Sequence, residues 1–167
     1  MAATDDAVLI GHGNVLSVVR PSGPLGPGVV GRVAYRDVDH PSFDINDLAV
    51  AGHTAWVALT SDSVVSIDIS DPRAPQIIAR EYAEAEVIAA TDRLLATSNK
   101  GMVELFDVTD PRLPHGRSVL SLEVPAFGDM AFAGDRLIAS TGAKGLVVVD
   151  VRDPVRPAII GRHDGIP

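Results

Sequence analysis

Gly145-Leu146-Val147-Val148-Val149-Asp150-Val151-Arg152-Asp153-Pro154-Val155-Arg156-Pro157 begins as a β-strand and ends as a turn. Its β-branched run favours an extended chain, proline cannot donate into a ladder, and Asp153 can cap its own turn through its side chain. The same corner stands upstream as Asp110-Pro111-Arg112-Leu113-Pro114 and Asp71-Pro72-Arg73-Ala74-Pro75, at spacings of 43 and 39 residues. A second landmark, Ala51-Gly52-His53-Thr54, Ala90-Thr91-Asp92-Arg93 and Ala133-Gly134-Asp135-Arg136, moves in step with it. The distance is 19 residues from Gly52 to Asp71, from Thr91 to Asp110 and from Gly134 to Asp153. Two landmarks at constant separation define an internal repeat. Its length variation falls between each corner and the next landmark.

Each unit reads as four short strands bounded by Gly, Asp and Pro, with no sustained helical periodicity. In the second unit they are Leu48–Ala51, Ala55–Leu59, Val64–Ile69 and Gln76–Tyr82; in the third, Val87–Ala90, Leu94–Thr97, Met102–Val108 and Arg117–Val124; in the fourth, Met130–Ala133, Leu137–Ser140, Leu146–Val151 and Ala158–Arg162. Gly101 to Asp107 is one residue longer than Ser63 to Asp68, which predicts a bulge there. The first unit offers only Ala7–Gly11, Val15–Val19 and Val29–Tyr35, and its corner, Arg20-Pro21-Ser22-Gly23-Pro24-Leu25-Gly26-Pro27, departs from the Asp-Pro form. Roughly 40-residue units of four antiparallel strands are the size of β-propeller blades. The expected fold is therefore all-β: one domain over residues 1–167, a β-propeller of about four four-stranded antiparallel blades, incomplete or open, with the first blade lacking its inner strand. The units run about 1–45, 46–84, 85–127 and 128–167.

The stretch from Gly145 to Pro157, with its copies Ser63 to Pro75 and Gly101 to Pro114, resembles the LVIVD repeat of bacterial and archaeal β-propeller proteins. That resemblance implies a propeller scaffold, often on exported or cell-surface proteins, and no single activity. Closed propellers have about 4–8 blades, so the chain is expected either to be part of a longer protein or to associate with itself.

Composition excludes more than it assigns. Lys plus Arg number 14 against 22 for Asp plus Glu, a net charge of −8, which opposes binding to a phosphate backbone; no nucleic-acid partner is expected. With no cysteine there is no disulfide, thiolate metal site or cysteine nucleophile. No apolar run approaches the roughly 18 residues of a membrane span. The first residues lack the basic and apolar pattern of a signal peptide, so a cytoplasmic place is the default expectation, and the cell surface the one the resemblance implies.

Asp47, Glu86 and Asp129 stand 39 and 43 residues apart, just before each inner strand, and are expected to converge at one mouth of the central channel. Three oxygen ligands around an axis suit Ca²⁺ or Mg²⁺. The competing reading is that such an acid satisfies local backbone N–H groups. His40 and Asp44 lie in the longest connection, but five histidines without HxH or HExxH spacing read as surface residues. The aspartates of the corners, and Asp68, Asp107 and Asp150 three residues before them, read as turn chemistry. The variable connections and the turns between second and third strands should share one face, because strands alternate in direction. That face carries the expected ligand-binding residues His12, Asp62, Asn99 and Lys144. The leading expectation is a non-catalytic propeller scaffold that binds a protein, peptide or glycan and is completed as a homo-oligomer or by additional repeats. The alternatives are a propeller hydrolase or lactonase with a cation at the channel mouth, and a structural cell-surface element.

Overall fold

A computed structural model describes residues 1–4, 7–22, 26–35, 44–60, 63–124, 127–142 and 145–164. The first sheet is β1 (Ala2–Ala3), β2 (Val8–His12), β3 (Val15–Arg20) and β4 (Gly28–Ala34). The second is β5 (Ile45–Ala51), β6 (Thr54–Leu59), β7 (Ser63–Asp68) and β8 (Gln76–Glu81). The third is β9 (Val87–Ala90), β10 (Leu94–Asn99), β11 (Met102–Asp107) and β12 (His115–Ser121), and the fourth β13 (Asp129–Ala133), β14 (Arg136–Ser140), β15 (Leu146–Asp150) and β16 (Ala158–His163). Each sheet is an antiparallel meander in chain order. No α-helix is found among the described residues.

One expectation needs correction. The first blade has an inner strand: Ala2 pairs with Leu9 and Ala3 with Val8. Two alanines make no recognisable apolar run, but Thr4 closes the turn behind them as Thr91 does in the third blade. The backbone N–H of Thr4 donates to the Ala7 carbonyl at 2.8 Å, and that of Thr91 to Leu94 at 2.8 Å. Ala3-Thr4-Asp5 against Ala90-Thr91-Asp92 was the available sequence signal.

The bulge expected in the third blade lies between Leu105 and Phe106. It is not peculiar to that blade, for β7, β15 and β3 break register against their outer neighbours between Ser66 and Ile67, Val148 and Val149, and Val18 and Val19. The extra residue of the third unit is absorbed by turns instead. β10 and β11 meet across the two-residue turn Lys100-Gly101, both at positive φ (48° and 81°), as the twist of a tight hairpin requires.

Period-two alternation on the middle strands builds the core between blades rather than within them. Leu9, Leu16, Ala55, Val57, Leu59, Val65 and Ile67 join the first blade to the second. Trp56, Ala58, Val64, Ile88, Leu95 and Phe106 join the second to the third. Ala96, Val103, Leu105, Leu137, Ala139, Val147 and Val149 join the third to the fourth. Four blades share three seams, and the close packing of inner strands runs from β1 to β5 to β9 to β13. Among the described residues no fourth core closes the circle.

The two landmarks keep their spacing because they touch. The N–H groups of Ile69, Val108 and Val151 donate to the carbonyls of His53, Arg93 and Asp135 at 2.9, 2.9 and 3.0 Å. Beside them Asp71, Asp110 and Asp153 each accept, through Oδ1, the N–H of the residue two further on at 3.0 Å. Each corner is the same self-capped turn. A residue inserted inside this frame would break both contacts.

Candidate functional site at the loop face

The turns between second and third strands and the connections between blades lie at one end of the sheets. Asn14, in the turn after His12, donates through Nδ2 to the Tyr35 carbonyl at 2.7 Å, and Ile45 donates to Gly13 at 2.9 Å. Thr60 donates to Asp44 at 3.0 Å and Leu122 to Gly101 at 2.9 Å. These bonds tie the first and third of the variable connections to hairpin tips, giving loops with fixed ends on a rigid support.

His12 and Asn99 occupy equivalent places on this face, each the last residue before a two-residue turn, paired with Val15 and Met102. His12 is exposed. Asn99 Nδ2 donates to Glu84 Oε2, and Lys100 Nζ forms an ion pair with the same oxygen at 3.0 Å. Glu84 in the connection after β8, which sequence reasoning did not single out, therefore joins the polar cluster. Nothing in its spacing marks it, since connections are where the repeat loses register. Asp62, Lys144 and His40 lie outside the described residues.

The three carboxylates are not brought together as a ring. Asp47 and Asp129 line one cavity of about 430 Å³ at the channel, together with Met1 and residues of β5, β9 and β13; Glu86 is not among its lining residues. Ladder position explains the difference. Asp47 stands opposite Ala58 and Asp129 opposite Ser140, whereas the residue opposite Ser98 is Val87, not Glu86. Ala90 pairs with Leu95 across a four-residue turn, where Ala51 with Thr54 and Ala133 with Arg136 need only two, so the third inner strand is displaced by one residue. A one-residue slip turns a side chain to the other face.

Asp47 joins blades. Its Oδ1 accepts the Leu48 N–H at 2.8 Å, and its Oδ2 accepts the Ile88 N–H of the next inner strand at 2.9 Å. Asp129 Oδ1 accepts Met130 N–H at 2.8 Å in the same way. Among the described residues no three His, Asp or Glu side chains are grouped so as to hold a metal ion.

At the opposite end, Asp68, Asp107 and Asp150 each accept the N–H two residues on, from Ser70, Thr109 and Arg152, at 2.8, 3.0 and 3.0 Å. Each carboxyl is held below the ordinary carboxylate range. For Asp68 the Ser70 N–H is the chief cause; for Asp107 and Asp150 it is the guanidinium of Arg117 and of Arg152. These are structural acids, and they hold the corners.

Four consecutive antiparallel blades sharing seams around an axis make this chain an arc of a β-propeller. The family model described as the LVIVD repeat matches residues 44–80 and 137–165, so most of the second and of the fourth unit carries the LVIVD repeat pattern. A propeller chain from a structure titled "Crystal Structure of Mitotic Checkpoint Complex" superposes with a TM-score of 0.67 at 14% identity, over 90% of this chain and 46% of that one. At that identity the likeness is one of fold. This chain spans under half the length of that propeller chain. No curated protein matches the sequence. Among the described residues no helix is long and apolar enough to cross a membrane.

Proposed function

We propose that the chain is a non-catalytic binding module whose ligand, a protein segment, peptide or glycan, is held on the loop face. The observation that carries this reading is the coupling of hairpin tips to connections: Asn14 with Tyr35, Gly13 with Ile45, and Asn99 and Lys100 with Glu84. Polar groups held there by a stiff frame lose little freedom when a ligand arrives. The propeller that this chain resembles stands in a structure titled as a protein complex, which favours a protein partner. The cation reading draws less support, because both oxygens of Asp47 already accept backbone N–H groups and Glu86 stands off the channel.

Peptide and glycan arrays probed with the labelled chain test the proposal. A retained ligand should be lost from His12→Ala and Asn99→Ala while the melting temperature stays within a few degrees. Arrays that retain nothing above background, or binding untouched by both substitutions, would overturn it and leave a purely structural element.

A further inference from the structure

Where the first blade meets the second, at the corner end and away from the loop face, the seam opens into a cavity of about 420 Å³, a size usual for small-molecule sites. Its floor is apolar. Ala7, Leu9 and Val18 from the first blade and Ile69 from the second line it, and all four are buried. Arg20, half-buried, and His53, exposed, stand at its rim. Thr4 and Ser70 line it too but are already engaged: the Thr4 hydroxyl bonds the Ala7 backbone, and the Ser70 N–H donates to Asp68 Oδ1 at 2.8 Å.

Arg20 departs from what the other blades place there. It ends β3 opposite Gly28, the first residue of the outer strand, just as Asp68, Asp107 and Asp150 end β7, β11 and β15 opposite Gln76, His115 and Ala158. The corner-holding acid of three blades is a cation in the first. In the last two blades that acid also answers an arginine, Asp107 with Arg117 and Asp150 with Arg152. Among the described residues Arg20 enters no ion pair.

The other two seams have the same notch and charge it differently. Between the second and third blades it measures about 170 Å³, with Trp56 on the ladder place that Leu9 holds in the first blade, and Asp92 lines it beside His53. Between the third and fourth it measures about 350 Å³, and Asp92 and Asp135 face it with Arg93 and Arg152. The first notch has no carboxylate among its described lining residues, in a chain whose net charge is −8.

We infer that this cavity binds a small organic acid, with its carboxylate on Arg20 and its apolar body against Leu9, Val18 and Ile69. A guanidinium offers a fork of donors that matches a carboxylate, and a pair formed at the edge of an apolar floor is screened less than one in open water. His53 adds a donor from whichever ring nitrogen carries the proton. Asp68, close enough to feel the charge of His53, makes the site fit one negative charge better than two. The class is therefore a monocarboxylate with a short apolar tail, either a free acid or the end of a peptide chain. This site lies at the opposite end of the sheets from the loop face, so the two readings stand or fall separately.

NMR of the methyl groups and imidazoles of the whole chain, titrated with hexanoate, tests the inference. Saturable shifts are expected at Leu9, Val18, Ile69 and His53, at the millimolar affinity of a ligand with about eight non-hydrogen atoms. Hexanamide, uncharged, and succinate, doubly charged, should bind at least about tenfold more weakly. Arg20→Asp should abolish the saturable shifts while the Leu105 and Val149 methyls keep their wild-type positions, and Arg20→Gln, which removes the charge and keeps the length of the stem, should weaken binding at least about tenfold. A peptide with a free C-terminal leucine, compared with its amide, separates the two sources: tighter binding of hexanoate assigns a free acid, tighter binding of the peptide a chain end. No saturable shift with either, hexanamide binding as well as hexanoate, or binding unchanged in Arg20→Gln would overturn it.

Discussion

Asp68, Asp107 and Asp150 show what a single repeated residue does. A carboxyl depressed in the folded chain adds stability above its unfolded value, near 4, and that stability disappears as pH falls toward the folded value. All three shifts are downward, so the acid limb of stability should begin below about pH 4. Glu104 acts in the opposite sense: burial first, then the charge of Glu81, raises its carboxyl, so its contribution weakens as pH rises past the ordinary glutamate range. Asp107→Asn keeps an acceptor for Thr109 N–H and loses the ion pair with Arg117. Melting temperatures between pH 2 and 7 should show a small loss at neutral pH and a shallower acid limb; a curve parallel to wild type would show that the pair contributes nothing. Gly31→Ala is the harsher change, since its Cβ meets backbone rather than a movable side-chain tip. It should lower stability by about 2 kcal/mol or more in urea titration, in the range of core overpacking. The turn role of these aspartates was legible from the sequence, because Asp-Pro chemistry is local. The role of Asp47 was only half legible: its bond to Ile88 depends on how two blades dock.

Strands were easier to read than their register. The apolar runs of the middle strands marked β6, β7, β10, β11, β14 and β15 because these are buried and short. Two misses have different causes. Spacing counted Glu86 into an acidic ring because the turn between first and second strands exists in a two-residue and a four-residue form that residue counting cannot tell apart, whereas β1 went unread because two alanines make no apolar run. Substitutions at element scale should separate seam from surface. Leu105→Ala, at a fully buried seam position, is expected to cost about 2–5 kcal/mol, whereas Val119→Ala, on the outer strand and 60% exposed, should stay within about 0.5 kcal/mol. The buried Trp56, the single tryptophan, reports both unfolding curves from the seam between second and third blades. Equal costs would contradict the placing of the core between sheets.

At the scale of the molecule, stability in a linear array is a sum over neighbours, and blades buried on two sides hold better than blades buried on one. The sequence announced the repeat, the strands other than β1 and the open form; it left the ligand unread, because the loop face is where units differ and two expected residues, Asp62 and Lys144, lie outside the described residues. The central claim is that four consecutive sheets meet only through three successive cores. Methyl and aromatic NOE spectroscopy tests it most directly. Contacts should link Leu9 and Leu16 to Val57, Trp56 to Leu95 and Phe106, and Leu105 to Leu137 and Val149. Absence of any of these three sets, or contacts joining the first sheet to the third or the second to the fourth, would contradict the account.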